Sequence, residues 1–287
     1  MASLQDTKRR IASVKNTQKI TRAMKLVASA KYARANVNLA KAKPYAEAFE
    51  GVLQSVLASD NIKSELLNTE RKEKAILYVI VATDRGLCGP LNSQLFRSVE
   101  KILEKHTKNH KVLFELWGKR AIFFGKKQDG TILFEKEKVL EQPPYLFAKE
   151  AVKRYHELYM NRKIDAVHIA YSSFKNAMSH PPKVKQLIPM KKAQEEMLKK
   201  AEKEPLFEPS QEEMVDKLLV QHAVSQVHKV LLESSASEHS ARMTAMDSAT
   251  NNADKVIKSL TLEYNRARQA SITKELIEIT SGAEALH

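Results

Sequence analysis

The chain has 287 residues, 43% of them hydrophobic and only seven of them glycine, a composition sufficient for a real core and more typical of helices than of a turn-rich β protein. Its single cysteine excludes an internal disulfide framework, and no stretch approaches the roughly 20 uninterrupted apolar residues of a membrane span. The formal net charge is +14, but residues 7–46 hold eleven Lys or Arg and no acid, whereas residues 210–287 hold eight basic and eleven acidic residues.

The basic block at 7–46 is compatible with three kinds of surface. Clustered Lys and Arg are typical of nucleic-acid binders, of solvated helix faces and of surfaces that meet an acidic protein. The block contains only two aromatic residues, Tyr32 and Tyr45, so it lacks the interleaved rings of a single-strand binder. The charge pattern alone leaves the three alternatives open.

Residues 1–58 are predicted to form one long helix that Ser3 caps. Pro44 predicts a kink or a local break in it, and residues 59–72 are predicted to be a polar linker. Four residues recur at the three- and four-residue steps of a coiled-coil seam: Ile20, Ala23, Val27 and Ala30.

Residues 74–190 change to the pattern of an α/β domain. The run AILYVIVATD is typical of a strand buried on both faces, and the segments after it alternate between helix and strand. The predicted helices are 91–106, 119–127 and 145–160, and the further strands are 111–118, 131–139, 165–174 and 183–190. This alternation predicts a parallel or mostly parallel sheet covered on both sides, followed by a charged connector over 191–209.

Residues 210–287 contain neither proline nor glycine until Gly282, which predicts a single helix that starts after Pro209 and stops at Gly282. At 1.5 Å per residue such a helix is roughly 110 Å long, too long for a globular core to bury. It therefore needs a partner helix or a surrounding protein sleeve. A seam matching that of the first helix predicts that the two pair antiparallel: Met246, Ala249, Ala253, Val256 and Leu260.

The turn TDRGLCGPLN at 83–92 is the best candidate for small-molecule chemistry. Gly86 and Gly89 would let a backbone approach a phosphate at a helix N-terminus, although their spacing matches no dinucleotide-binding or P-loop motif. Cys88 would be a nucleophile only with a base beside it; the alternative is a tight turn in which Cys88 packs as a small apolar residue. The histidines show no metal-ligand spacing, and no acid–base pair is apparent.

Two long terminal motifs and this turn carry a resemblance to a known family. The motifs are IASVKNTQKITRAMKLVASAKYARA and SEHSARMTAMDSATNNADKVIKSLTLEYNRARQASITKELIEITSGAEAL. Together with DRGLCGPLN they closely resemble the γ subunit of the F-type ATP synthase, and the similarity runs through the whole chain.

The resemblance implies an α/β protein with long helices: an antiparallel coiled coil of the terminal helices plus an inserted Rossmann-like α/β domain. Members of that family form the central rotor stalk, one copy per complex. Their partners are a hexameric ring of α and β subunits, the ε subunit and the membrane c-ring. ATP, ADP and Mg bind the α and β subunits, so the resemblance implies no cofactor, no metal and no catalytic residue in this chain. It also implies no nucleic-acid partner.

The resemblance further assigns contact residues. Those expected to face the α/β head are Arg9, Arg10, Lys19, Arg22, Met24, Lys25, Arg242, Met246, Arg268, Gln269 and Thr273. Leu206, Phe207 and Glu208 are expected to face the c-ring and ε, although Pro205 stands where relatives carry an aromatic residue. The structural turn comprises Asp84, Arg85, Gly86, Cys88 and Gly89.

Location is predicted from the N-terminus and from the lone cysteine. The start of the chain has no apolar signal region and no Arg- and Ser-rich transit peptide, and the paired cysteines of the chloroplast insert are missing. These observations favour a bacterial protein, peripheral on the cytoplasmic face of the inner membrane and in contact with the membrane only through the c-ring.

Overall fold

The computed structural model describes residues 4–57, 64–67, 71, 73–107, 110–190 and 211–284, with side chains described except at 54–55, 211–213 and 282–284. The helices are α1 (Leu4–Leu57), α2 (Leu91–His106), α3 (Lys119–Gly125), α4 (Pro144–Met160) and α5 (Gln211–Glu284). The strands are β1 (Ala75–Val81), β2 (Lys111–Trp117), β3 (Thr131–Lys136), β4 (Ala166–Ser172) and β5 (Pro182–Ile188). Two short 3-10 turns are Glu65–Leu67 and Val139–Glu141.

The chain divides into two compact units. The helix-pair unit comprises Met1–Ser29 with Arg242–His287, and the sheet unit comprises Ala30–Ala241.

In the sheet unit, five strands form one sheet in the order β3-β2-β1-β4-β5. β1, β2, β3 and β4 are parallel, and β5 runs antiparallel to β4. The prediction of a mostly parallel, Rossmann-like sheet is therefore confirmed. β1 lies at the centre, which explains its continuous β-branched run, because a central parallel strand is buried on both faces.

The side chains of β1 alternate between two hydrophobic cores. Leu77 and Val79 belong to a core that includes α4 and the beginning of α5, whereas Ile76 and Ile80 belong to a core with α2 and α3. The single tryptophan, Trp117, is fully buried in the first core. Two layers of helix therefore cover the sheet, as the period-2 pattern of a two-sided strand requires.

The 59–72 prediction of a polar linker is wrong for residues 64–67. Leu66 and Leu67 are buried within the first core, and the backbone N–H of Met190 donates to the Leu66 carbonyl at 2.8 Å. The Ser64 hydroxyl donates to Asp216 of α5 at 2.6 Å. The sequence did not indicate this short apolar segment, because the residues around it are polar and two leucines are too few to show a helix or strand periodicity.

The predicted local break at Pro44 is absent, and the end predicted at Gly282 lies two residues before the observed one. α1 continues through Pro44, and α5 continues past Gly282 to Glu284. α1 is held on both sides of the proline, by Tyr32 against Phe174 and by Phe49 against His222, so tertiary contacts offset the lost backbone hydrogen bond. Gly282 lies within the terminal turn, where helix ends are defined only to one or two residues.

In the helix-pair unit the two helices run antiparallel. As the residue number rises from Gln18 to Lys25 on α1, it falls on α5: Gln18 contacts Asp254 at 3.4 Å, Thr21 contacts Thr250 at 2.8 Å and Lys25 contacts Asp247 at 2.6 Å. The central contact of this seam joins two buried threonine hydroxyls.

The predicted seam of α1 is wrong by about one residue. Ile20, Ala23, Val27 and Ala30 are all exposed, and Thr7, Thr21 and Ala28 are buried instead. On α5 the prediction is partly right, because Met246 and Ala253 are buried while Val256 is exposed. The apolar residues did not indicate which face of α1 is buried, because threonines lie in the seam. Their hydroxyls hydrogen-bond to each other and to helix carbonyls, so these polar groups are satisfied inside the seam.

Candidate functional site

The outer surface of α1 in the helix-pair unit is basic. Arg9, Arg10, Lys19 and Arg22 are exposed, so all four guanidinium or ammonium groups are accessible in this chain. They lie on the outside because the buried positions of α1 follow the phase of Thr7, Thr21 and Ala28. The arrangement is suited to a partner that carries carboxylates.

Met24 and Lys25 differ from these four residues because both are half-buried. The Lys25 ammonium pairs with Asp247 of α5 at 2.6 Å, with about four-tenths of each side chain exposed. Lys25 therefore already has an acidic partner within its own chain, which the predicted contact with another protein did not include. No signal in the sequence indicated this pair, because which residue of α1 meets Asp247 depends on the antiparallel register.

The α5 residues predicted to contact the head fall into two groups. Arg242 is half-buried and Met246 is only 4% exposed, so Met246 lies in the seam rather than on the outside. Arg268, Gln269 and Thr273 are exposed, and the Thr273 hydroxyl donates to the Gln269 carbonyl within the helix. The structure thus places Met246 level with Lys25, and the Arg268 group more than twenty residues further along α5.

Large apolar side chains lie exposed on both helices of this unit. Ile20 is 52% exposed and Val27 59% on α1, and Leu276, Ile277 and Ile279 are 58–68% exposed near the end of α5. Exposed apolar residues gathered along one element indicate a contact surface for another molecule. Ile20 and Val27, which the seam pattern predicts to be buried, lie on this outer surface instead.

The predicted structural turn lies at the carboxyl end of β1 in the sheet unit. Asp84 Oδ1 accepts hydrogen bonds from the backbone N–H groups of Lys119 at 3.0 Å and of Lys138 at 2.9 Å. One carboxylate therefore binds both the first residue of α3 and the segment that follows β3. Leu87 and Gly89 have φ of 62° and 60°, a left-handed conformation that glycine adopts without cost and leucine does not. A tight turn is therefore present.

Two other residues of this turn bear on the phosphate hypothesis. A Cβ at Gly86 would lie 2.9 Å from the Arg120 guanidinium, so that side chain occupies the space beside the glycine. Arg85 contributes its backbone carbonyl, which accepts the Thr83 hydroxyl at 2.7 Å. The space beside Gly86 is therefore taken by a side chain of α3, and the Arg85 carbonyl is taken by a residue of the turn itself.

Cys88 has the surroundings of a packed residue rather than of a nucleophile. Its thiol is 2% exposed, and the Asn92 side-chain amide donates to Sγ at 3.3 Å. The Thr83 hydroxyl lies 4.0 Å from Sγ. Reactive cysteines are partly exposed and lie beside positive charge or a base. The geometry favours the alternative of a small apolar residue in a tight turn.

The remaining sequence predictions concern the foot, metals and membranes. Leu206, Phe207 and Glu208 lie outside the described residues. Across the described ranges, no group of three or more His, Cys, Asp or Glu side chains could hold a metal ion. Within the same ranges, none of the helices has a segment both long and apolar enough to cross a bilayer.

Comparisons with known proteins agree on one family. A family model described as ATP synthase matches residues 3–286. The chain is 42% identical to the ATP synthase gamma chain of Geobacter metallireducens and 40% identical to that of Cytophaga hutchinsonii, covering 100% of this chain and 99–100% of the relatives.

Solved structures agree as well. A chain from the structure of the central stalk and c-ring of the Tetrahymena thermophila mitochondrial ATP synthase matches 80% of this chain and 99% of its own, with a TM-score of 0.60 and 26% identity. A chain of the Euglena gracilis mitochondrial ATP synthase matches 99% of this chain and 94% of its own, with a TM-score of 0.71; at 22% identity this match bears on the fold alone.

Proposed function

Since this chain belongs to the ATP synthase gamma-chain family, we propose that it is the central rotor stalk of an F-type ATP synthase. In this role it couples proton-driven rotation of the membrane c-ring to ATP synthesis in a head of α and β subunits. The observation that carries the proposal is the match over residues 3–286, together with about 40% identity along the full length of bacterial gamma chains.

The outer surface of the helix-pair unit supports a rotary contact. Exposed basic residues such as Arg9 and Arg22 face outward, and so do apolar residues such as Ile20 and Ile279. A surface that differs from side to side stabilises different conformations of identical subunits around it. Rotation then changes the nucleotide affinity of each β subunit in turn, which is a coupling through differential binding.

We assign the head contacts to two levels of the helix-pair unit. The first comprises Arg22, Met24 and Lys25 with Arg242, and Met246 lies beneath them in the seam, where it supports the contact from inside. The second comprises Arg268, Gln269 and Thr273, whose exposed side chains are available to hydrogen-bond a β-subunit loop. The other residues predicted to face the head lie between the two levels: Arg9, Arg10 and Lys19. Gln269 suits a contact that must form and break, because its amide is neutral and both donates and accepts.

We infer that the chain itself carries out no chemical step and that ATP, ADP and Mg bind to the α and β subunits. The burial of Cys88 supports this inference, since that residue was the strongest nucleophile candidate in the chain. We also propose that the foot, including Leu206, Phe207 and Glu208, faces ε and the c-ring. The complex then lies at the cytoplasmic face of a bacterial inner membrane, as the bacterial relatives suggest.

Co-purification at native expression level tests the proposed function. A tag on this chain should recover α and β subunits in threefold excess over it, with ε and the c-ring in the same particle. Recovery of nucleic acid, or of the chain alone under conditions that preserve large complexes, would contradict the proposal.

The residue assignment is tested by replacing Arg268 and Gln269 together with Ala. Loss of a charge-assisted hydrogen bond of about 1.5–3 kcal/mol should slow ATP-driven rotation by one to two powers of ten. Nucleotide binding should not be abolished, because these residues do not form the nucleotide sites. Lys149→Ala, at an exposed position on α4 of the sheet unit, is the control and should rotate at the wild-type rate. Unchanged rotation in the double variant would contradict the assignment.

A further inference from the structure

A cavity of about 1020 Å³ lies in the sheet unit between α1 and α5. α1 is held on both sides of it, by Tyr32 against Phe174 at 5.9 Å between ring centroids and by Phe49 against His222 at 6.3 Å. Between these two contacts Ala46 lines the cavity, and its short side chain leaves the space unfilled. The volume is at the upper end of the range for pockets that hold small organic ligands, about 300–1,000 Å³.

Aromatic rings form part of the cavity wall. The Tyr145 ring lies perpendicular to the His228 ring, with 5.8 Å between their centroids, and the Gln221 amide donates to the Tyr145 hydroxyl at 3.2 Å. Phe174 adds a further ring. Tyr145 is thus held in orientation while 42% of it stays exposed, so its ring can receive a flat ligand.

The acidic and the basic side chains of the cavity differ in whether they have a partner of opposite charge. Each carboxylate already has a partner: Glu47 pairs with Lys43 at 3.6 Å, Glu50 faces the His222 ring nitrogen at 3.5 Å, and Glu233 accepts the Phe174 backbone N–H at 3.4 Å. Lys185 instead donates to the neutral amide oxygen of Gln226 at 2.7 Å. Among the described residues no carboxylate oxygen lies within 4.0 Å of the ammonium group of Lys185 or Lys229.

We propose that this cavity is a binding site for a small organic anion with an aromatic body. The aromatic body packs against Tyr145 and Phe174, and the anionic group pairs with Lys185 and Lys229. Both lysines line the same cavity, and an anion there supplies the contact within 4.0 Å that neither ammonium group makes with a carboxylate of the described residues. An organic cation is disfavoured because the carboxylates are already engaged.

The test uses the full-length chain and 8-anilinonaphthalene-1-sulfonate, an aromatic sulfonate whose binding is followed by isothermal titration. We expect one saturable site per chain, superimposed on weak, non-saturable binding to the exposed apolar residues of the helix-pair unit. Lys185→Gln should weaken binding about tenfold or more, because a charge-assisted contact is lost. Ala46→Leu should weaken binding severalfold, because the larger side chain takes part of the space between the two aromatic contacts. Lys183→Gln, on the same strand but outside the cavity lining, is the matched control and should change the affinity less than twofold.

A neutral analogue separates this site from general apolar binding. N-phenyl-1-naphthylamine has the same rings without the sulfonate, so it should bind at least tenfold more weakly to the wild-type chain. Equal affinity of the two probes would overturn the proposal, and so would unchanged binding by Ala46→Leu. An equal loss of affinity in Lys183→Gln and Lys185→Gln would also overturn it. The probe would then respond to the net charge of the chain rather than to a lysine that lines the cavity.

Discussion

The sheet unit and the helix-pair unit use apolar residues in opposite ways. In the sheet unit the central strand is buried from Ile76 to Val81, and its side chains fill two cores. In the helix-pair unit a buried pair of threonines holds the seam, while Ile20 and Ile279 are more than half exposed. The sheet unit therefore supplies its own hydrophobic stabilisation, whereas the helix pair keeps apolar surface for a partner.

This difference locates stability and function in separate parts of the chain. A buried apolar side chain contributes about 1.5–3 kcal/mol to folding, and an exposed one contributes that free energy only when a partner covers it. Substitutions in the sheet unit should therefore change the free energy of unfolding. Substitutions on the outside of the helix pair should change assembly and rotation instead.

The largest expected effect is that of Gly118→Ala in the sheet unit. Gly118 has φ of 94°, and a Cβ there would lie 2.1 Å from the Ala82 carbonyl oxygen, a backbone atom that cannot move aside. We expect a loss of more than about 3 kcal/mol in the free energy of unfolding. Urea unfolding followed by the fluorescence of Trp117, the only tryptophan, measures it.

Gly51→Ala is the matched control for that variant. Gly51 lies within α1 and has no atom within 4 Å of an added Cβ, so the change should be neutral or stabilise by up to about 1 kcal/mol. Similar losses in the two variants would show that the backbone constraint at Gly118 has been misjudged.

Leu77→Ala and Ile20→Ala compare the two units directly. Leu77 is completely buried, and its truncation should cost about 2–5 kcal/mol of unfolding free energy. Ile20→Ala should cost less than about 0.5 kcal/mol in the chain but weaken binding to the α/β head by about 1 kcal/mol. Chemical denaturation and head-binding titrations separate the two effects. A comparable loss of unfolding free energy in both variants would contradict the distinction between a buried residue of the sheet unit and an exposed residue of the helix pair.

Asp165→Asn should remove a pH-dependent contribution to the sheet unit. Burial disfavours the ionised carboxyl, but the backbone N–H groups of Ala75 and Lys74 and the Arg71 guanidinium at 2.7 Å outweigh it and lower the pKa of Asp165. The stabilisation is therefore complete above the unfolded pKa of about 3.9 and is lost as the pH falls towards the folded pKa.

We expect Asp165→Asn to lose about 1.5–3 kcal/mol of unfolding free energy at pH 7. The difference from the wild-type chain should stay constant down to about pH 5 and narrow below about pH 4. Stability curves measured by urea unfolding at several pH values test this. A difference that grew on acidification would show that the sign of the pKa shift is wrong.

The smallest expected effect is that of Asp247→Asn in the helix-pair unit. The Asp247–Lys25 pair is about four-tenths exposed on both sides, and such pairs contribute about 0.2–1 kcal/mol. Thermal unfolding at low and high salt should show a small loss that salt removes. Thr250→Val, which removes a buried hydroxyl facing Thr21, should show a loss that salt does not change. Equal salt dependence would contradict this distinction.

Local pattern determined much of the fold. The β-branched run of β1 required a strand buried on both faces, and the helix predicted at 91–106 agrees with α2 to the residue. The long segment without glycine or proline required a helix too long for a globular core, which the 74 residues of α5 confirm. These features follow from neighbours along the chain, so the sequence contains the information for them.

Other features were decided only by the tertiary structure. The strand order β3-β2-β1-β4-β5 and the antiparallel β5 depend on which strands meet in space. The phase of the α1 seam depends on its partner helix, because Thr21 can be buried only where the Thr250 hydroxyl lies opposite it.

The same reason explains the errors in the candidate site. Ile20 and Val27 were assigned to the seam by their apolarity, yet they lie outside, where a second molecule rather than this chain would bury them. Lys25, predicted to contact the α/β head, also pairs with Asp247, and the sequence did not indicate that pair because the two residues are 222 positions apart in the chain. A sequence pattern reports what each residue prefers to contact, and only the fold decides whether that contact lies within the chain or in another one.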